Sequence, residues 1–229
     1  MWMRSASTLV ALSLILPLSA PALAVQNDSQ IWTTAAVNVK LSDQWRLSNE
    51  LTGRFSDNRN GLYDLEDDLL LGHQLGKKVG IWAGYVHDPQ YSGGNFTIME
   101  HRFREQVTFA KIAQIAGGSI DARLRFEQRW RDGKDGTGWR FRPFVKYSHP
   151  FKPRGKTALV ISHEGFWNFN TTSFQAKGGF ERMRNLIAIS TPITRDMNAE
   201  IGYLNQYTIV SGGPDTMDHI LSINLSLSL

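Results

Sequence analysis

Charged side chains recur at every second position along much of this chain, and that spacing suits ion-pair chemistry. Arg123, Arg125, Glu127, Arg129 and Arg131 alternate with Ala122, Leu124, Phe126 and Trp130. Arg140, Arg142 and Lys146 alternate with Trp139, Phe141, Val145 and Tyr147. Similar polar rows hold Arg46, Glu50 and Arg54, then Asp64, Glu66 and Asp68, then Glu100, Arg102 and Arg104. Glu164, Arg182, Arg184, Glu200 and Gln206 extend the pattern downstream. Arginine meets a carboxylate through two parallel N–H donors, so such rows can build salt-bridge ladders. Either they fill a narrow interior, or they line a basic channel for anionic solutes. The predominance of Arg from 123 to 142 speaks for the channel, and the ladders for the filling. The candidate cluster is Arg46, Glu50, Arg102, Arg104, Arg123, Arg125, Glu127, Arg140, Arg142, Glu164, Arg182, Arg184 and Gln206. Within it, Glu164, Arg182 and Gln206 are expected to meet from neighbouring strands.

Other chemistry is thinly represented. There is no G-x-S-x-G, H-E-x-x-H, P-loop or G-x-G-x-x-G motif. The six histidines are scattered without ligand spacing, and no Ser and His stand two apart on one strand face. Ser148-His149 and Ser162-His163 put the two side chains on opposite faces, out of hydrogen-bond reach. His163-Glu164 is a lone acid–base candidate. Asp64–Asp68 offers alternate carboxylates for Ca²⁺, but reads first as a solvated strand end. With no cysteine among 229 residues, disulfide scaffolds, zinc ribbons, iron–sulfur centres and thiol enzymes are excluded. No catalytic residue, metal or cofactor is assigned.

The elements that carry these rows must be strands. Side chains of a strand point alternately to its two faces, so period-two patterning gives one apolar and one polar side. In the last segment His219, Leu221, Ile223, Leu225, Leu227 and Leu229 oppose Ile220, Ser222, Asn224, Ser226 and Ser228. Trp45, Leu47, Leu51 and Phe55 oppose Arg46, Ser48, Glu50, Thr52 and Arg54. Weaker alternation runs near 31–41, 62–75, 79–88, 97–110, 157–169, 181–192 and 197–209, with no helical stripe.

Residues 1–24 read as a secretory signal: Arg4, an apolar run from Leu9 to Leu16, Pro17, and the small-x-small site Ala22-Leu23-Ala24. The run is short of the roughly 20 residues of a spanning helix. Residues 25–229 then form one domain. A secreted sandwich would bury its apolar faces. A transmembrane barrel would turn them to lipid and its charges to a lumen. Export, strand lengths of roughly 10 residues, aromatic residues at strand ends (Trp45, Phe55, Trp82, Trp130, Trp139, Trp167) and a final alternating strand favour the barrel. The expected fold is an all-β, antiparallel up-and-down transmembrane β-barrel. Short connections at 42–43, 76–78 and 194–196 alternate with longer ones near 57–61, 88–95, 132–138, 170–178 and 211–216. Eleven segments can be counted. Because bacterial barrels close with even numbers, ten or twelve strands are expected: either a further strand lies near Ser173–Gly179, or residues 25–41 do not form a complete crossing.

Several short segments resemble an outer-membrane barrel family without assigned activity, the domain-of-unknown-function family 2490. They are Gln30-Ile31-Trp32-Thr33 with Trp45-Arg46-Leu47-Ser48, His163-Glu164-Gly165-Phe166-Trp167-Asn168-Phe169-Asn170, Glu181-Arg182-Met183-Arg184-Asn185-Leu186, and Gly202-Tyr203-Leu204-Asn205-Gln206-Tyr207. The chain departs from the family at Glu181, where Asn or Gln is usual. The resemblance implies an outer-membrane location and carries no catalytic residues. The net charge of +4 does not call for nucleic acid, because its arginines alternate with apolar residues on strands. The expectation is a monomeric barrel in a Gram-negative outer membrane, contacting membrane lipid and recognised by the barrel-assembly machinery through its C-terminal strand. Its role is structural or loop-mediated interaction; a small anion-permeable channel and a lipid-modifying enzyme are the alternatives.

Overall fold

A computed structural model describes residues 25–229; the segment 1–24, expected to be a secretory signal, lies outside the described residues. The chain forms eleven strands: β1 Gln26–Lys40, β2 Trp45–Ser56, β3 Gly61–Gln74, β4 Val79–Ser92, β5 Asn95–Ile115, β6 Gly118–Arg131, β7 Gly138–Pro150, β8 Ala158–Asn168, β9 Gly179–Pro192, β10 Met197–Thr208 and β11 Thr216–Ser228. Each pairs with its neighbour in sequence, and β1 pairs with β11 to close the barrel.

The strand number is therefore eleven, not ten or twelve, and the sheet is not wholly antiparallel. An up-and-down meander with an odd number of strands brings its first and last strands together running the same way. Here β1 and β11 are parallel from Gln26↔Thr216 to Asn38↔Ser228. The supposed twelfth strand near Ser173–Gly179 is a connection, at 169–178, that folds over the barrel opening. Its Gln175 is buried and donates to the carbonyl of Asn170 at 2.9 Å while accepting from Arg129 at 3.0 Å.

Connections 57–60, 93–94, 132–137, 169–178 and 209–215 share one end, here called the mouth. The other end, the base, carries 41–44, 75–78, 116–117, 151–157 and 193–196. The expected long loop at 88–95 shrinks to Gly93-Gly94. Both have positive φ (55° and 78°), which suits a two-residue hairpin turn of the primed type and lets Asp88–Ser92 remain in β4.

Alternation sorts the faces. Every strand contributes an exposed outward apolar residue, among them Ile31, Leu51, Leu69, Ile81, Phe103, Leu124, Val145, Ile161, Ile187, Ile201 and Leu221. The core is the lumen, and it is mostly polar: arginines and carboxylates make up about half of the buried residues, with a few apolar ones such as Val86, Val160 and Ile220 among them. Trp82 is an exception to the expected outer aromatic set. Its ring lies against Gly72, where a Cβ would sit 2.3 Å from it, and its Nε1 donates to Thr108 at 3.1 Å.

Candidate functional site

The lumen site is a continuous arginine–carboxylate network. On β3 the inward phase places Asp64, Glu66 and Asp68 in a row. Arg54 on β2 donates to Asp64 and to Glu66, the latter at 2.8 Å. Glu66 also accepts from Arg102 and Arg104, each at 2.9 Å. Arg104 bonds Asp68 and reaches Glu127 at 2.8 Å. From Glu127 the chain of contacts passes to Arg142 (2.8 Å), then to Glu164 (3.1 Å), which also takes Arg123 at 2.5 Å. Toward the mouth, Glu100 gathers Arg102 (2.6 Å), Arg129 (2.8 Å) and Arg131, while Arg102 also bonds Asp88.

Burial makes this costly and specific. Glu100, Glu127 and Asp88 are 0% exposed, and Arg104 is 1% exposed. Ions removed from water lose several kcal/mol of hydration each, which only dense pairing offsets. Multiply shared carboxylates achieve that density here.

The register explains the remaining links. Glu164, Arg184 and Gln206 face one another on β8, β9 and β10. Arg184 Nε donates to Gln206 at 2.8 Å, and Gln206 donates to Asp218 at 2.6 Å. Arg184, rather than Arg182, thus joins Glu164 to Gln206; Arg184 lies 3.9 Å from Glu164, and Arg182 approaches Glu181 at 3.5 Å.

Of the other candidate residues, Arg125 donates to Gln106 at 2.8 Å, and Arg140 stands 3.9 Å from Glu127. Arg46 is not in the network: it lies at the base and bonds the carbonyls of Ser42 and Trp45. Glu50 faces the lumen near the base but makes no ion pair among the described residues. The Asp64–Asp68 run is not a solvated strand end. Asp64, Glu66 and Asp88 do bring carboxylate oxygens within 4.8 Å of one another, but Arg54 and Arg102 already occupy them. His163 and Glu164 point apart: His163 pairs with Asn185 outside (2.7 Å), Glu164 with arginines inside.

Sequence reasoning missed Asp88, Asp218, Gln175 and two inward aromatics. The guanidinium groups of Arg54 and Arg184 sit 4.7 and 4.6 Å from the ring centre of Trp32. Those of Arg140, Arg142, Arg182 and Arg184 surround Phe166 at 4.5–5.7 Å. The Asp88-Pro89 pair looked like a loop start. Phe166 shares the phase of Glu164, two residues before it, but its apolar type masked that signal.

Two cavities flank the network. One, of about 570 Å³, opens toward the mouth; the other, of about 480 Å³, occupies the basal half. Trp32, Arg54 and Arg184 line both, so they form the partition between them. At the mouth, Asp215 accepts from the Tyr207 hydroxyl and from the Val210 N–H at 2.9 Å, and these bonds hold its carboxyl below its ordinary range.

Fold and site together define a closed β-barrel with a buried arginine–carboxylate lumen. The chain belongs to the family described as "Protein of unknown function (DUF2490)", whose model matches residues 29–218. An uncharacterized protein of Methylorubrum extorquens is 30% identical over 203 residues, covering 86% of each chain. No solved structure matches the chain.

Proposed function

We propose that the protein is an outer-membrane barrel whose lumen is closed by its charge network, a structural and surface-presenting element rather than an open pore or an enzyme. The supporting observation is its inverted polarity. All eleven strands present apolar side chains outward, and the buried interior is dominated by polar and charged side chains, with arginines and carboxylates making up about half of it. A soluble protein rarely exposes so wide an apolar surface, whereas lipid covers one at no cost. Outward polar rows interrupt this band on its mouthward side. Asp67, His87 and His101 are register neighbours on β3–β5, as are His163, Asn185, Asn205 and His219 on β8–β11. Tyr85 bonds His101, and Tyr203 bonds His219 at 2.6 Å, pairings suited to the headgroup boundary. In this reading membrane lipid surrounds a monomer, and β11 is the strand offered to the assembly machinery.

Fractionation tests the location. The protein is expected in the outer-membrane fraction, with heat-dependent mobility in detergent gels. Recovery as a monodisperse soluble periplasmic protein would sink the proposal. The nine arginines lining the mouthward cavity favour a second reading, a small anion-permeable pore. Planar-bilayer recording separates the two: silence fits the closed lumen, and steady anion-selective current fits the pore.

A further inference from the structure

We propose that the mouthward cavity is a binding site for a phosphate-type oxyanion, held by Arg140, Arg182 and Arg184 around the ring of Phe166. The site needs neither conduction nor a membrane location. β7, β8 and β9 are adjacent, and Phe166 on β8 stands between arginines from both sides. The guanidinium groups of Arg140, Arg182 and Arg184 lie 5.7, 5.7 and 4.8 Å from the centre of the Phe166 ring, so all three border the space beside it, where one tetrahedral oxyanion can meet them.

The donors there are unspent. Arg142 is committed to Glu127 and Glu164, but Arg140 is 4% exposed and donates no hydrogen bond among the described residues. Its Nε, like that of Arg182, is buried without a partner. Arg184 uses Nε on Gln206, and its nearest carboxylate contact is 3.9 Å. A guanidinium group has five N–H donors, and three such groups converge here.

The charges there are loosely matched. Glu164 is shared among Arg123, Arg142 and Arg184, Glu127 among Arg104, Arg142 and, at 3.9 Å, Arg140, and Arg182 has Glu181 at 3.5 Å. Asp28, Asp64, Glu66 and Asp218 line the same cavity. Water can satisfy the free N–H groups but brings these arginines no counter-charge. An oxyanion does both, and paired N–H donors match phosphate geometry. The cavity, about 570 Å³, is large enough for an organic group beyond the phosphate, which Trp32 and Tyr63 would flank. Its opening at the mouth, beside Asn58, Arg59 and Val210, admits either a free phosphorylated solute or the phosphate of a lipid headgroup.

Calorimetric titration of the full barrel distinguishes these sources. The probes are inorganic phosphate, glucose 6-phosphate and short-chain phosphatidic acid, with chloride as control. Saturable binding of a free phosphate supports a solute site, and binding of phosphatidic acid alone supports a headgroup site. In either case Arg140→Gln and Arg182→Gln should each weaken binding about tenfold or more, and Lys156→Gln at the base should not change it. The one ion-pair partner of Arg182 among the described residues is Glu181, at 3.5 Å, so its variant tests the site even if Arg140→Gln fails to fold. No saturable binding of any phosphate probe up to about 10 mM overturns the proposal, as does binding that both arginine variants leave unchanged.

Discussion

Arg104 on β5 reaches over β4 to Glu66 on β3, with 2.9 Å between Nη2 and Oε1. The residue beneath it on β4 is Gly84, its register partner, which has no side chain to block the crossing. Arg102 makes the same jump to Glu66, and Arg123 jumps from β6 over β7 to Glu164. Such contacts tie strands that share no backbone hydrogen bonds, so the network braces the barrel across its curvature.

Glu66 is the junction of three guanidinium groups, and its loss should be severe. Glu66→Gln leaves buried cations short of a counter-charge, a change of about 3–5 kcal/mol. Arg131→Gln at the rim, where the arginine is partly exposed, should cost within about 1 kcal/mol. Denaturant midpoints of the folded barrel compare them. Equal midpoints would show that Glu66 is no junction.

An odd number of strands puts the two ends of the described chain at opposite ends of the barrel. Gln26 lies at the mouth beside Thr216, and Ser228 lies at the base beside Asn38. In a membrane, a tag inserted before Gln26 and one after Leu229 should be accessible from opposite sides. Protease or antibody access in intact cells measures this. Labelling of both tags from one side would mean an even number of crossings.

The partition gives a third expectation. Trp32 donates to Gln30 at 2.8 Å and is flanked by Arg54 and Arg184. Trp32→Ala removes the ring that both cavities share. The variant should conduct in planar bilayers where the parent is silent, with a larger step in higher salt. An equally silent variant would place the closure elsewhere, in the salt bridges.

Acid should loosen the mouth at a defined point. Asp215 holds Val210 N–H and the Tyr207 hydroxyl, which lowers its pKa. A depressed carboxylate contributes above its unfolded pKa and loses that contribution as pH falls through the folded value. Protection of the Val210 amide from exchange should therefore persist through about pH 4 and vanish below it. Loss near neutral pH would contradict the bond.

Much of this architecture is readable from alternation, because a strand with two chemically different faces writes its period directly into the residues. All eleven strands are visible that way, as is the inward set from Arg102 to Arg142. The count failed where a rule about even barrels overrode the eleven visible segments; nothing local distinguishes a parallel closing seam from an antiparallel one. Placement across strands failed by one step at Arg182 and Arg184, two residues apart on one face, because register is set by pairing. Asp88 was hidden by Pro89, which reads as a loop signal yet sits within β4. Trp32 and Phe166 were hidden because an inward aromatic in a charged lumen breaks the polarity pattern that reveals the lumen.

Glu105 offers the sharpest test of what the outer face meets. It points outward on β5 between Phe103 and Val107, with Ala83 and Phe126 as register neighbours. It is exposed and makes no ion pair among the described residues. Against lipid such a carboxylate is a liability, smaller than that of a buried Lys or Arg but unfavourable near the middle of the band. Glu105→Leu should then stabilise the barrel in bilayers by about 1 kcal/mol or more. Against water the same change would add one more apolar side chain to an exposed surface, with no gain in stability and a greater tendency to aggregate. Equilibrium unfolding in lipid vesicles reads the sign: a higher midpoint for the leucine variant fits a lipid-facing Glu105, and an unchanged or lower one would mean that this part of the wall faces solvent or a partner.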